Sequence, residues 1–183
     1  MKENTKIFVD TYNPPTIVLN MFERCIDSPE HPIFHPEKTL DAHIEITMQR
    51  ALEQDALELH FVAFLHDICK HGFCDFISNE RQGVLKSIPE GDYWQNVRHP
   101  EQAVEFINLP EVRSWIKANG ADFGVIEKLI KFHMRMKDYI AGENGEEGGM
   151  GDSKRSKFRS NFSDYEWDLM CYFSEYCDNM LLD

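Results

Sequence analysis

Six side chains in this sequence have the chemistry of metal ligands: His43, His66, Asp67, His99, His133 and Asp178. The adjacent pair His66-Asp67 is the most telling. It sits in the stretch 57–70, where Leu57, Phe61, Phe64, Leu65 and Ile68 recur at helical spacing and make one apolar face. Val62, Ala63 and Cys69 carry the apolar surface around most of the circumference, leaving His66, Asp67 and Lys70 as a small polar group. An acid beside an imidazole in a nearly buried helix needs partners, because unpaired buried charge is costly. Neutral imidazole and carboxylate together form mixed nitrogen–oxygen sites for divalent manganese, iron, cobalt, nickel or zinc, and carboxylates also suit magnesium. His43, His66, Asp67 and Asp178 would make one such site. His99 and His133 would complete a second, with Asp67 as the bridge. Two ions about 3.5–4 Å apart can stabilise both the attacking and the leaving oxygens of a displacement. The pattern therefore points to metal-dependent hydrolysis.

Positioning these residues requires helices. The spacing of apolar residues predicts helices over 16–26, 37–54 and 57–70, with His43 on the flank of the stripe Leu40, Ile44, Thr47, Met48 and Ala51. The glycine of His71-Gly72 is a natural stop for the third. His99-Pro100 opens another helix, with proline at a favoured first position, and Leu109-Pro110 breaks it. Two more are predicted over 111–118 and 124–137, placing His133 in the last turns of the second. Ser163 and Glu166 have capping-box spacing and start the final helix, which runs towards Asp178. The stretch 28–36 holds three prolines and reads as a loop, and 73–91 reads as short helices and turns. Five glycines in 141–160, followed by Lys154, Arg155, Lys157 and Arg159, are expected to form a flexible loop. The expected product is one all-α domain over 1–183, a compact helical bundle.

Bulk properties narrow the partners. A chain of 183 residues with a net charge of -13 is a poor binder of long nucleic acid, since phosphate attraction needs a basic surface. A small phosphorylated substrate stays compatible, because bound divalent cations reverse the local field of a site. The five cysteines form no C-x-x-C pair and read as reduced, buried thiols in a cytoplasmic protein. No run of residues approaches the roughly 20 apolar positions that span a bilayer. His31, His35, His60 and His71 have no place in the ligand order and read as surface or packing residues.

Five local elements recur in order: Thr39-Leu40-Asp41-Ala42-His43, Phe64-Leu65-His66-Asp67-Ile68-Cys69-Lys70, His99-Pro100-Glu101-Gln102-Ala103, Ile130-Lys131-Phe132-His133 and Tyr176-Cys177-Asp178. This H…HD…H…H…D series resembles the HD-domain superfamily of metal-dependent phosphohydrolases, over residues 39–179. The glycine-rich segment with its basic end is similar to the HD domains of bacterial tRNA nucleotidyltransferases. Two positions depart from the family pattern: Cys69 replaces the glycine of L-H-D-I-G-K, and Arg98 replaces the glycine before His99. The resemblance implies a helical bundle holding one or two divalent ions on the six residues named above. It implies hydrolysis of a small phosphoester, with a nucleotide (a nucleoside monophosphate, a triphosphate or a 2′,3′-cyclic phosphate) as the favoured substrate. Asp67 and Lys70 would carry the catalysis, and Lys70, Arg135 and the basic run 154–159 would meet phosphate charge. Two other classes share the ligand set: a di-iron oxygenase of the same superfamily, and a non-catalytic module binding a nucleotide or a protein.

Overall fold

The computed structural model describes residues 1–72 and 82–178. Among them run nine α-helices, a two-stranded hairpin and a terminal π-helical turn. The bundle is organised around α4 (Leu57–Leu65), in which every residue from Glu58 to Leu65 is buried. An element apolar on all sides must be surrounded. α3 (Leu40–Leu52), α7 (Phe123–Glu143) and the π turn Phe173–Cys177 pack against it. α5 (His99–Ile107) lies along α7, and α6 (Pro110–Ala118) follows it. The all-α expectation agrees with this architecture.

Several boundaries differ from those predicted. The stretch 57–70 is not one helix. α4 ends at Leu65, and 66–70 form a tightened turn in which Ile68 N–H donates to Leu65 and Lys70 N–H to Asp67. α7 continues to Glu143, so His133 lies at mid-helix rather than in the last turns. Asp122 caps its start, its side chain accepting from the Gly124 and Val125 amides.

At the N-terminus, α1 (Glu3–Tyr12) had no counterpart in the sequence reading. It is fastened to α3 through Glu45, which accepts from the backbone and side chains of Asn4 and Thr5. α1 brings Phe8 to stack on Phe64 with ring centroids 4.5 Å apart. α2 (Thr16–Glu23) follows and ends near its predicted limit.

Of the expected short helices and turns over 73–91, residues 73–81 lie outside the described residues. The rest is an antiparallel hairpin of β1 (Val84–Ile88) and β2 (Gly91–Gln95), with Val84 opposite Gln95 and Ile88 opposite Gly91. Almost every β1 side chain is exposed, so no alternating burial pattern marked it as a strand.

The expected flexible loop 141–160 contains the end of α7 and the whole of α8 (Asp152–Arg159). α8 is anchored by Phe158, whose ring meets Phe132, Phe162 and Tyr139 at centroid distances of 5.4–5.9 Å. Gly142 and Gly149 serve close backbone approach here. A Cβ at Gly142 would lie 2.0 Å from the Met150 carbonyl oxygen, and Met150 N–H donates to the Asp138 carbonyl. The capping box at Ser163 and Glu166 opens α9 (Asp164–Tyr172) as predicted. No described helix is long and apolar enough to cross a membrane. Among the described residues Cys25, Cys69, Cys171 and Cys177 are in no disulfide, and all are buried except the half-buried Cys171; Cys74 lies outside the described residues.

Candidate metal centre

The six ligand-type residues come from five different places in the chain and converge on one buried point. His43 projects from α3, and His66 and Asp67 from the turn capping α4. His99 is the first residue of α5, His133 is at the middle of α7, and Asp178 caps the π turn. All six are at most 7% exposed. The π turn places Asp178: its N–H donates five residues back to Phe173, and such widened turns recur at functional sites.

The cluster divides into two halves that share Asp67. In one, His43 Nε2 and His66 Nε2 are 3.2 Å apart. Asp67 Oδ2 lies 3.6 Å from each, and Asp178 Oδ1 lies 3.3 Å from His43 and 3.6 Å from His66. In the other, His99 Nε2 and His133 Nε2 are 3.2 Å apart, and Asp67 Oδ1 lies 2.9 Å and 3.4 Å from them. One carboxylate thus offers a different oxygen to each histidine pair.

The imidazoles are held by their far nitrogens. His66 Nδ1 lies 3.2 Å from the carbonyls of both Val62 and Ala63, His99 Nδ1 2.7 Å from Asn96, and His133 Nδ1 2.7 Å from Ile130. His43 Nδ1 lies 3.0 Å from Glu37 Oε1. Carbonyl and carboxylate oxygens only accept, so these contacts place the protons on Nδ1 and turn four bare Nε2 lone pairs inward. Two lone pairs facing each other repel unless a cation or proton lies between them.

The donor set fits an ion at each half. Two nitrogens 3.2 Å apart, each bonded at roughly 2.1 Å, subtend about 100° at a shared ion, between tetrahedral and octahedral angles. Asp67 Oδ1 is buried and receives no well-aimed hydrogen bond from the protein, despite the two nearby imidazoles. A buried carboxylate oxygen without a donor is costly, and a cation resolves it.

Electrostatics bear on the same point. Burial opposes ionisation of Asp67, yet Lys70, His66 and His99 hold its carboxyl well below the usual carboxylate range. Burial also opposes Asp178, and bonds from His43 and His66 hold it low. Desolvation pulls His66 below its ordinary value. His43 is pushed up to about 9, because contacts with Asp178 and Glu37 outweigh its burial. In the absence of a metal, the half-site takes up a proton instead.

Lys70 is half-buried beside the cluster, with Nζ 3.0 Å from Asp67 Oδ2, 3.0 Å from Glu30 Oε2 and 3.2 Å from His35 Nε2. Asp67 and Glu30 raise its pKa above the ordinary lysine range against the effect of burial. Beside it opens a cavity of about 260 Å³ lined by Lys70, His99, His31, Tyr93 and Trp94 among others. Arg135 is set apart from this centre. Its guanidinium lies over the Phe158 ring, and it lines a different cleft with Lys154 and Lys157.

Four functional neighbours escaped the sequence reading. Glu30, His35 and Glu37 come from the irregular segment between α2 and α3, and Asn96 follows β2. Asn96 donates to the carbonyl of Cys69 and to Gln102 while its own carbonyl accepts from His99. Cys69 itself is fully buried. His35, expected as a surface or packing residue, is at the site, and His31 lines the cavity. His60 does pack, bonded to the Tyr12 hydroxyl and the Gln54 carbonyl. A two-residue spacing, His35 to Glu37, was the one available signal, and it is too common to single out. Comparison of the chain with protein-family models, with curated proteins and with solved structures found no match in any of the three.

Proposed function

We propose that this chain is a metal-dependent phosphohydrolase acting on a small phosphoester, with a nucleotide as the favoured substrate. The observation that carries the reading is Asp67, whose two carboxylate oxygens face two separate histidine pairs. A carboxylate so placed could serve two divalent ions at once. His43, His66 and Asp178 would hold one ion, and His99 and His133 the other. The ordered motifs that resemble the HD-domain superfamily support the same assignment.

Charge counting supports two ions over one. Four carboxylates with buried side chains, Glu30, Glu37, Asp67 and Asp178, face one ammonium, Lys70, and imidazoles counted in the deprotonated form that binds a metal. The sum is three negative charges. One divalent ion leaves a single negative charge, which would repel phosphate. Two leave a single positive charge, which attracts it. Bound ions would supply an acidified water and Lewis acidity towards phosphoryl oxygens.

The chain's own part is orientation. Backbone carbonyls and Glu37 fix the imidazole tautomers, and Lys70 stabilises the ionised form of Asp67. The cavity beside Lys70 and His99 is sized for a small ligand, and the rings of His31, Tyr93 and Trp94 suit a substrate carrying an aromatic group. The test is metal analysis of the purified protein with a phosphoester screen on wild type and Asp67→Ala. Stoichiometric metal and activity confined to wild type are expected. Metal-free protein that resists reloading, or full turnover by Asp67→Ala, would end the proposal. Iron content with oxygen consumption in place of phosphate release would point to the oxygenase class.

A further inference from the structure

Glu37 is outside the ligand order, yet its Oε1 touches two imidazoles at once, His43 Nδ1 at 3.0 Å and His35 Nδ1 at 2.8 Å. A carboxylate oxygen only accepts, so both Nδ1 atoms donate, and in the neutral form of each ring, the form that binds a metal, Nε2 presents a lone pair. His43 turns its lone pair into the first histidine pair. His35 turns its own towards Lys70 Nζ, 3.2 Å away. An ammonium has three N–H groups, and Lys70 has three acceptors in reach: Asp67 Oδ2, Glu30 Oε2 and His35 Nε2. Every hydrogen is accounted for without a donor meeting a donor. The direction of the chain is Lys70 to His35 to Glu37, with His43 donating to the same Glu37 oxygen from the other side.

The segment that carries this network is tied down. Glu30 N–H donates to Lys38, Leu40 N–H to Ser28 and Trp94 N–H to Pro29, so the segment is fastened to both α3 and β2. The side chains of Glu30 and Glu37 are 4% and 3% exposed.

We propose that Glu37 is a positioning residue that couples the first ion site to Lys70. By fixing the tautomers of His43 and His35 together, it presents one lone pair to the metal and uses the other to hold Lys70 against Asp67. Lys70 then has no N–H left for substrate. It acts on the charge of Asp67, and the phosphate is met by the ions. This rests on the metal reading above.

Glu37→Leu tests it. Both imidazoles bond to the one oxygen Oε1, so a variant with no acceptor at all leaves neither Nδ1–H tautomer fixed. Manganese titration calorimetry of wild type should resolve two ions, and Glu37→Leu should weaken one of them 10- to 100-fold, the range for outer partners of metal ligands. The other ion, on His99 and His133, should stay within threefold. Glu45→Gln, which loosens the fastening of α1 to α3 without removing a bond to any ligand, should lower the melting temperature and leave both affinities unchanged. Histidine ¹⁵N spectra of the zinc-loaded wild type should show the Nδ1–H tautomer for both His35 and His43, a measurement that needs no variant to fold. Two ions bound by Glu37→Leu at wild-type affinity, or Nε2–H on His35, overturns the proposal. A wild type that binds no ion sinks the metal reading instead, and the His35 tautomer then decides the remaining link to Lys70.

Discussion

The metal-free protein should lose stability as pH rises from about 6.5 to about 9. The group responsible is His43, fully buried between Asp178 and Glu37, with its pKa pushed from 6.5 up to about 9. Between those values the folded chain keeps a proton that the unfolded chain has released. The native state therefore binds more protons, and the free energy of unfolding falls with rising pH. The stabilisation is complete below about 6.5 and is lost as pH passes about 9. Its size is at most about 3 kcal/mol, the equivalent of the gap between the two pKa values. His66 has the opposite sign, because its pKa is lowered: the folded state releases its proton first, so stability rises with pH below about 6.5. The ionised carboxylates Asp67, Asp178 and Glu37 also lose their stabilisation in acid. Cys171 and Cys177, pushed up to about 11 and about 12, act only above the ordinary thiol value of 9. The metal-free chain should therefore be most stable near pH 6.5.

A bound ion changes this dependence, since it takes the place of the His43 proton. Loaded protein should show a flatter profile from 6.5 to 9. The first ion should bind about tenfold more tightly per pH unit up to about 9, with one proton released per ion. Urea midpoints with chelator at pH 6.5, 7.5, 8.5 and 9, set against manganese titrations in buffers of differing ionisation heat, measure both. A chelated midpoint that holds level or climbs between 7 and 9 would show that His43 does not keep the proton, and the argument from Asp178 and Glu37 would fail with it.

Other outcomes follow from individual contacts. His99→Ala should remove one ion and leave the ion on His43, His66 and Asp178, read as metal stoichiometry; loss of both would mean that the halves are not separable. Phe8→Ala should cost about 3–5 kcal/mol in urea unfolding, because Phe8 is fully buried on Phe64 and Phe61; a loss under 1 kcal/mol would mean that α1 is not docked as described. Gly142→Ala should destabilise despite a helix-propensity gain of about 1 kcal/mol, since the new Cβ meets the Met150 carbonyl at 2.0 Å; faster amide exchange in α8 would locate the damage, and a stabilised variant would refute the close approach.

The series of ligand-type residues was legible because such residues violate the pattern around them. His66 and Asp67 interrupt an apolar surface that packing alone would have filled with carbon, and a violation of local rules marks a functional site. Phe8 was illegible for the opposite reason. Three apolar residues in a polar terminus carry no period, and what buries Phe8 is the ring surface of Phe61 and Phe64, distant in sequence. The hairpin exposes most of its side chains, so its strands never show alternation. α8 read as loop because its neighbours are glycine-rich, although Gly142 and Gly149 permit backbone contact and Phe158 supplies the anchor.

Lys70 shows where sequence spacing stops being informative. Three residues after Asp67, it could equally face a substrate phosphate or the aspartate, and both readings need a lysine at that position. The difference lies in Glu30 and His35, contributed by an irregular, proline-rich segment whose residues have no period to read. Those two acceptors, with Asp67, use all three N–H groups of the ammonium. A lysine so saturated cannot also neutralise an incoming phosphate without giving up a buried partner, at roughly the 1–3 kcal/mol of a lost buried hydrogen bond. The positive charge that a phosphoester requires must then come from elsewhere in the centre. The four inward-facing imidazole nitrogens and the two oxygens of Asp67 are where two cations would sit, so the saturation of Lys70 and the splitting of Asp67 between two histidine pairs argue for the same occupancy.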